Sequence, residues 1–227
     1  YQRLYDVAKR DPEAPEELNE WKIRKIFEFD DLFAKGGGFK EKHIHQNRHV
    51  AKYANHAWHT DIHYLNPIEE ENYFQCYLIV FIDDRTRKLI YSEILPYKSA
   101  FCTSSALKSA LQLNDPPKYI ISDNGKEFIA DEFLSVLISY NIELLTTHPY
   151  TPEENGKCER FWKTLESTAQ GELDRPKIDK IIFQYYNYWP HFGLKELTGY
   201  NMTPQEAWDS MEHWNGQANS DFIYNYI

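Results

Sequence analysis

A chain of 227 residues, 42% hydrophobic and 16% aromatic, is long and apolar enough to bury a sizeable core, which excludes a disordered tail. No apolar run approaches the roughly 20 residues of a bilayer-spanning helix, and three cysteines without a CxxC spacing argue against a disulfide framework, so an intracellular protein without a membrane partner is expected. The formal charge of −10 works against nucleic-acid binding, where Lys and Arg neutralise phosphates, yet it is unevenly spread: residues 35–60 carry five Lys/Arg against one acid, and none follows Lys195.

Residues 1–34 hold two helix-compatible stretches, the better over 14–34, where Pro15 and three Glu precede an apolar series, until Gly36-Gly37-Gly38 breaks the pattern. A basic linker with His43, His45 and His49 follows; no Cys pair completes a zinc module, so a solvated linker is the simpler reading. From residue 57 the pattern turns to strands: Ala57–Leu65, Tyr73–Asp83 and Lys88–Leu95, with Asp84-Arg-Thr-Arg as a hairpin turn that makes them antiparallel. Ser99–Leu113 reads as a helix, Lys118–Ser122 as a short buried strand, Ala130–Tyr140 as a helix and Ile142–Thr146 as a strand. A long helix from about Glu153 to Gly171 and helices over 177–189 and 203–212 complete the order, which is mixed α/β.

Three acids stand out by their settings. Asp61 is mid-strand in Trp58-His-Thr-Asp, and period-2 alternation puts His59, Asp61 and His63 on one face with Thr60 and Ile62 on the other. Asp123 follows the apolar Ile-Ile-Ser strand, and Asn124-Gly125 gives a sharp exit that exposes its carboxylate. Glu159, with 35 residues between it and Asp123, lies on the first turns of a helix introduced by Thr151-Pro152. With 35 Asp and Glu in the chain the spacing alone decides nothing; the strand, strand-end and helix-start settings carry the argument. Converging carboxylates repel one another unless cations intervene, and hard oxygen donors select Mg²⁺ or Mn²⁺, two ions being suited to in-line phosphoryl displacement.

These strings, with Ser122-Asp-Asn-Gly125, Phe128, Tyr150-Thr-Pro-Glu-Glu-Asn-Gly-Lys-Cys-Glu-Arg160 and the Tyr185–Leu194 and Met202–Trp208 segments, resemble the retroviral-integrase and insertion-sequence transposase catalytic core with its Asp, Asp-35-Glu signature. The resemblance implies a ribonuclease-H-like five-stranded mixed sheet flanked by helices over about residues 55–212, after a helical extension and His-rich linker (1–54) and before a short tail (213–227). It further implies that Asp61 and Asp123 hold one metal and Asp61 and Glu159 the other. Water would hydrolyse the element's terminal phosphodiester, and the freed 3′-OH would attack target DNA.

By the same resemblance Tyr150 and Asn155 face the DNA terminus, while Asn155, Glu159 and Lys163 share a helix face and Lys163 is placed to reach phosphate. His63 and Asn124 are further candidate DNA contacts, and Arg160, pointing elsewhere, is expected to pair with an acid of the core. The aromatic-rich end is expected to pack mostly as helices against the sheet. Family members assemble on DNA as dimers or tetramers, which implies DNA and further copies of the chain as partners, and nuclear residence in a eukaryotic host. Two other readings stay open: a host-adopted binding module that keeps the fold without turnover, and a ribonuclease-H-type nuclease.

Overall fold

In the computed structural model, residues 50–65, 76–147, 156–169, 175–182 and 186–216 are described. The helical lead-in, the glycine break, His43, His45, His49, Tyr150 and Asn155 lie outside them. Five strands form one sheet: β1 (Ala57–Leu65), β2 (Cys76–Asp83), β3 (Leu89–Leu95), β4 (Tyr119–Ser122) and β5 (Glu143–Thr146), in the order β3-β2-β1-β4-β5. β1, β2 and β3 pair antiparallel, as the hairpin reading requires, and β4 and β5 join parallel to β1. The helices are α1 (Ala100–Leu113), α2 (Asp131–Ser139), α3 (Gly156–Thr168), α4 (Arg175–Lys180), α5 (Phe192–Thr198) and α6 (Pro204–Ser210). No described helix is long and apolar enough to cross a membrane.

Alternation along β1 divides the core. Trp58 and Ile62 join Ile79, Phe81, Leu107, Phe133 and neighbours on the face covered by α1 and α2. Leu65, Val80 and Ile82 turn to the opposite face, where Phe161, Trp162 and Leu165 of α3 cover them. A side chain sitting on one face of a strand must project on the same face two residues later, so β1 delivers His59, Asp61 and His63 to α3. The loop before β1 is tied down by Asn55, which at φ 59° accepts from Trp58 Nε1 at 2.8 Å and sends its own backbone N–H to Asp83 Oδ2 at 2.9 Å. A parallel bridge joins Ala54 to His213, and the His56 ring stacks on Trp214 at 4.5 Å.

Two expectations change at the C-terminal end. The expected helix over 177–189 falls on α4 and on a 3₁₀ turn over Tyr186–Tyr188, with 183–185 outside the described residues. The physical reason is Asn187, whose amide accepts from Leu89 N at 2.8 Å and donates to Leu89 O at 3.0 Å, so the chain there serves the edge strand's backbone instead of a helix, just ahead of Pro190. The aromatic end is also less buried than its composition suggests, with Tyr188, Phe192 and Tyr200 exposed. α6 begins as Thr-Pro predicts, with a capping box between Thr203 and Glu206.

Candidate active site

Parallel pairing of β1 with β4 stops at His59↔Ile121. Asp61 and Asp123 each lie two residues past that pair, so they flank the crevice where the neighbouring strands cease to be bonded, midway along β1 and just beyond the carboxyl end of β4. Asp61 is held on both oxygens: Oδ1 accepts from Ile62 N and Oδ2 from Trp162 Nε1, each at 2.8 Å. Burial pushes its carboxyl above the ordinary range; the Trp162 and Ile62 bonds pull it back and the negative charge of Asp123 pushes it further up. Asp123 is half-buried, with Oδ1 accepting from Gly125 N at 3.0 Å. Glu159, in the first turn of α3, is 44% exposed and lies 3.9 Å from Lys163 Nζ. The buried thiol of Cys158 is pushed well up by burial and then by the negative charges of Asp61, Asp123 and Glu159.

The donor types, three carboxylates and no soft ligand, fit Mg²⁺ or Mn²⁺. Among the described residues no three His, Cys, Asp or Glu side chains are gathered closely enough to hold one ion. The strand crevice pairs Asp61 with Asp123, whereas Glu159 leans along its own helix toward Lys163.

His63 stacks on Trp162 at 4.9 Å and sits 3.4 Å from Glu166, so its ring is engaged by α3. Asn124 is exposed and its side-chain amide donates to Thr147 O at 2.9 Å. Lys163 is 73% exposed beside Glu159, on the shared face its spacing predicts. Arg160 is exposed and forms no ion pair among the described residues, contrary to the expected pairing with a core acid; its position on α3 turns it to water.

Two groups escaped the sequence reading. Behind the acids, Asp84 of the β2–β3 turn meets His59 Nε2 at 2.7 Å and also the Lys157 ammonium, with all three largely buried. Burial alone would raise the Asp84 carboxyl, but Lys157, His59 and Arg87 outweigh it and hold it well below the usual range. Burial, with Lys157 adding to it, brings His59 down to about 4, so the imidazole is neutral at pH 7 and donates from Nε2 to Asp84. This network ties β1 two residues before Asp61 to α3 two residues before Glu159. In front, Lys98 pairs with buried Glu127 at 3.0 Å, and a Cβ on Gly125 would stand 2.6 Å from Glu127 Oε1 and 2.9 Å from Asp123 Oδ1. Charges separated by 25 to 98 positions leave no local signature; only the glycine in Asp-Asn-Gly hinted at a close approach.

The family model described as Integrase core domain matches residues 51–152. The Pol polyprotein of equine infectious anemia virus (strain Wyoming) is 30% identical over 118 residues, 52% of this chain and 10% of the polyprotein, so the chain spans about a tenth of that relative's length. Among solved structures, the HTLV-2 integrase catalytic core domain in complex with magnesium superposes with a TM-score of 0.53 at 20% identity, covering 69% of this chain and 97% of that one. The simian T-cell lymphotropic virus intasome in complex with PP2A regulatory subunit B56 gamma gives a TM-score of 0.58 at 18% identity over 90% of this chain and 73% of that one. The five-stranded mixed sheet with helices on both faces is thus the ribonuclease-H-like fold of integrase cores, and over residues 51–152 the chain is similar to the integrase core domain.

Proposed function

We propose that this core performs DNA integration chemistry: metal-dependent hydrolysis of a phosphodiester at the ends of a mobile element, followed by transfer of the freed 3′-OH into target DNA. The observation that carries the reading is the placement of Asp61 and Asp123 on either side of the crevice between β1 and β4, with Glu159 on the helix that covers the same face. Asp61 and Asp123 would hold one divalent ion and Asp61 and Glu159 a second. When bound, such ions would supply polarisation of the scissile phosphate and a lowered pKa of the attacking oxygen. The magnesium bound by the HTLV-2 core supports that choice of cofactor.

The chain's own residues do the orienting. Trp162 fixes the Asp61 carboxylate through its indole N–H and leaves lone pairs on both oxygens for further bonds. The Gly125 N–H fixes Asp123 in the same way. Glu159 closes the set by turning from Lys163, which is then free for a DNA phosphate. The basic stretch preceding β1, the segment with Tyr150 and Asn155, and His63 and Asn124 would contact DNA, and further copies of the chain would complete a channel that an acidic protomer alone does not offer. The intasome similarity supports assembly on DNA, and action there would take place in the nucleus of a eukaryotic host.

A second reading, a binding module that has kept the fold without turnover, is favoured by the charge of −10 and by the absence of a gathered metal triplet among the described residues. The deciding experiment is Mn²⁺-dependent strand transfer by the full-length protein on labelled duplexes carrying the ends of its element. Joined products should fall by at least about 100-fold in Asp123→Asn and Glu159→Gln, the scale on which losing one electrostatic stabiliser of a transition state registers. A folded protein that makes no joined product assigns the chain to the binding module, and cleavage of RNA–DNA hybrid without joining assigns it to a nuclease.

A further inference from the structure

Lys98 lies in the loop between β3 and α1, one residue before Ser99, the residue that caps α1. Its ammonium is anchored at 3.0 Å by Glu127, which is buried, yet the lysine side chain itself keeps 43% of its surface in solvent. Glu127 stands across the Gly125 turn from Asp123, close enough that both carboxylates crowd the position a Cβ on Gly125 would fill. The Gly125 turn therefore brings Asp123 and Glu127 together, with Lys98 bound to Glu127, and Asp61 lies on the strand paired beside β4. Burial draws the ammonium down, but Glu127, Asp123 and Asp61 outweigh it and keep Lys98 above the ordinary lysine range.

On the integrase reading, we propose that Lys98 is a substrate-positioning residue: held by Glu127 at the edge of the Asp61–Asp123 crevice, it receives the DNA phosphate beside the scissile bond. The buried acid fixes where the charge stands, and the exposed face of the ammonium is what a phosphate would meet. A positive charge there has two consequences of opposite sign. It attracts the anionic backbone, and it repels a divalent cation approaching the same carboxylates. A side chain that merely held the loop together would influence both affinities in the same direction.

The test uses the full-length protein, Lys98→Gln and Lys98→Arg. Mn²⁺ affinity is read from the electron paramagnetic resonance signal of free Mn²⁺, with no DNA present. DNA affinity is read by anisotropy of a short fluorescein-labelled duplex in Ca²⁺ across a salt series. Lys98→Gln should bind Mn²⁺ about three- to tenfold more tightly and the duplex about three- to tenfold more weakly, with the slope of log affinity against log salt reduced by about one. Lys98→Arg, which keeps the charge, should restore both values. Parallel weakening of both affinities, or no change in either, overturns the inference while leaving the integrase reading intact. A wild-type protein that takes up neither Mn²⁺ nor duplex overturns the integrase reading itself.

Discussion

The two faces of the central sheet are built from the same strands and solve different problems. Toward α1 and α2 the contributions are Trp58, Ile79, Phe81, Leu107 and Phe133, and polar atoms are few: the Trp58 indole N–H is taken by Asn55, and the buried Thr60 hydroxyl finds no partner among the described residues. Toward α3 the same β1 presents His59, Asp61 and His63, and the apolar cluster of Val80, Ile82, Phe161 and Leu165 is flanked by the ion network of Asp84 and Lys157. One face supplies stability that is indifferent to protonation. The other invests burial in holding charges still, which is useful only where charges must be aimed.

The largest expected effects break the two faces separately. Trp58→Ala and Asp84→Ala should each cost about 3–5 kcal/mol in urea unfolding, the first by opening a core cavity and the second by removing the carboxylate opposite the buried Lys157. Equal size would hide different origins, and pH separates them. The depressed Asp84 carboxyl contributes stability that is complete above the ordinary carboxylate range and is lost as pH falls through its folded value. The cost of Asp84→Ala should therefore shrink in acid while that of Trp58→Ala stays constant. A parallel pH course for both variants would sink the distinction.

A smaller effect belongs to the intact protein. His56 and His59 are both brought to about 4, chiefly by burial, so between there and the ordinary histidine value the unfolded chain takes protons that the folded one refuses. Stability should fall as pH drops through that window. Asp83, raised to about 6 by burial, works in the opposite sense, because below that value the folded state holds a proton the unfolded chain has released. Two histidines against one aspartate predict a lower urea midpoint at about pH 4.5 than at pH 7; an unchanged midpoint would show that the imidazoles are not held neutral. The smallest change is Thr60→Val, which removes a hydroxyl that has no partner among the described residues and should be neutral or stabilising by up to about 1 kcal/mol. A loss above that would reveal a bond to the Thr60 hydroxyl.

The strands, their order of appearance and the division of β1 into two faces were legible because alternation is a local property, printed in adjacent residues. β1 spans Ala57–Leu65 as expected, and the other strand and helix ends shift by a residue or a few where they are described. Asp61, Asp123 and Glu159 were legible as candidates for a different reason: each occurs in a distinctive string. What the sequence hid is long-range. Asp84 stood in a hairpin turn and Lys157 within a helix start, with no local mark on either, until the fold brought them together against His59. Lys98 and Glu127 were hidden for the same reason, since a charge reveals its role only through what stands opposite. The 3₁₀ turn at Tyr186–Tyr188 was hidden because helical propensity says nothing of an edge strand that needs an amide from Asn187.

The crowding at Gly125 has a hereditary consequence. Any side chain at this position must displace Glu127 or Asp123, and Asp123 is the acid the proposed chemistry cannot spare. A side chain at position 125 would be accommodated most readily in lineages that have shortened or lost the acid at 127, and with it the anchor for the charge at 98. Three sites scattered over nearly thirty positions would then drift as one character, so that a descendant retaining the glycine but losing the lysine would be the informative rarity.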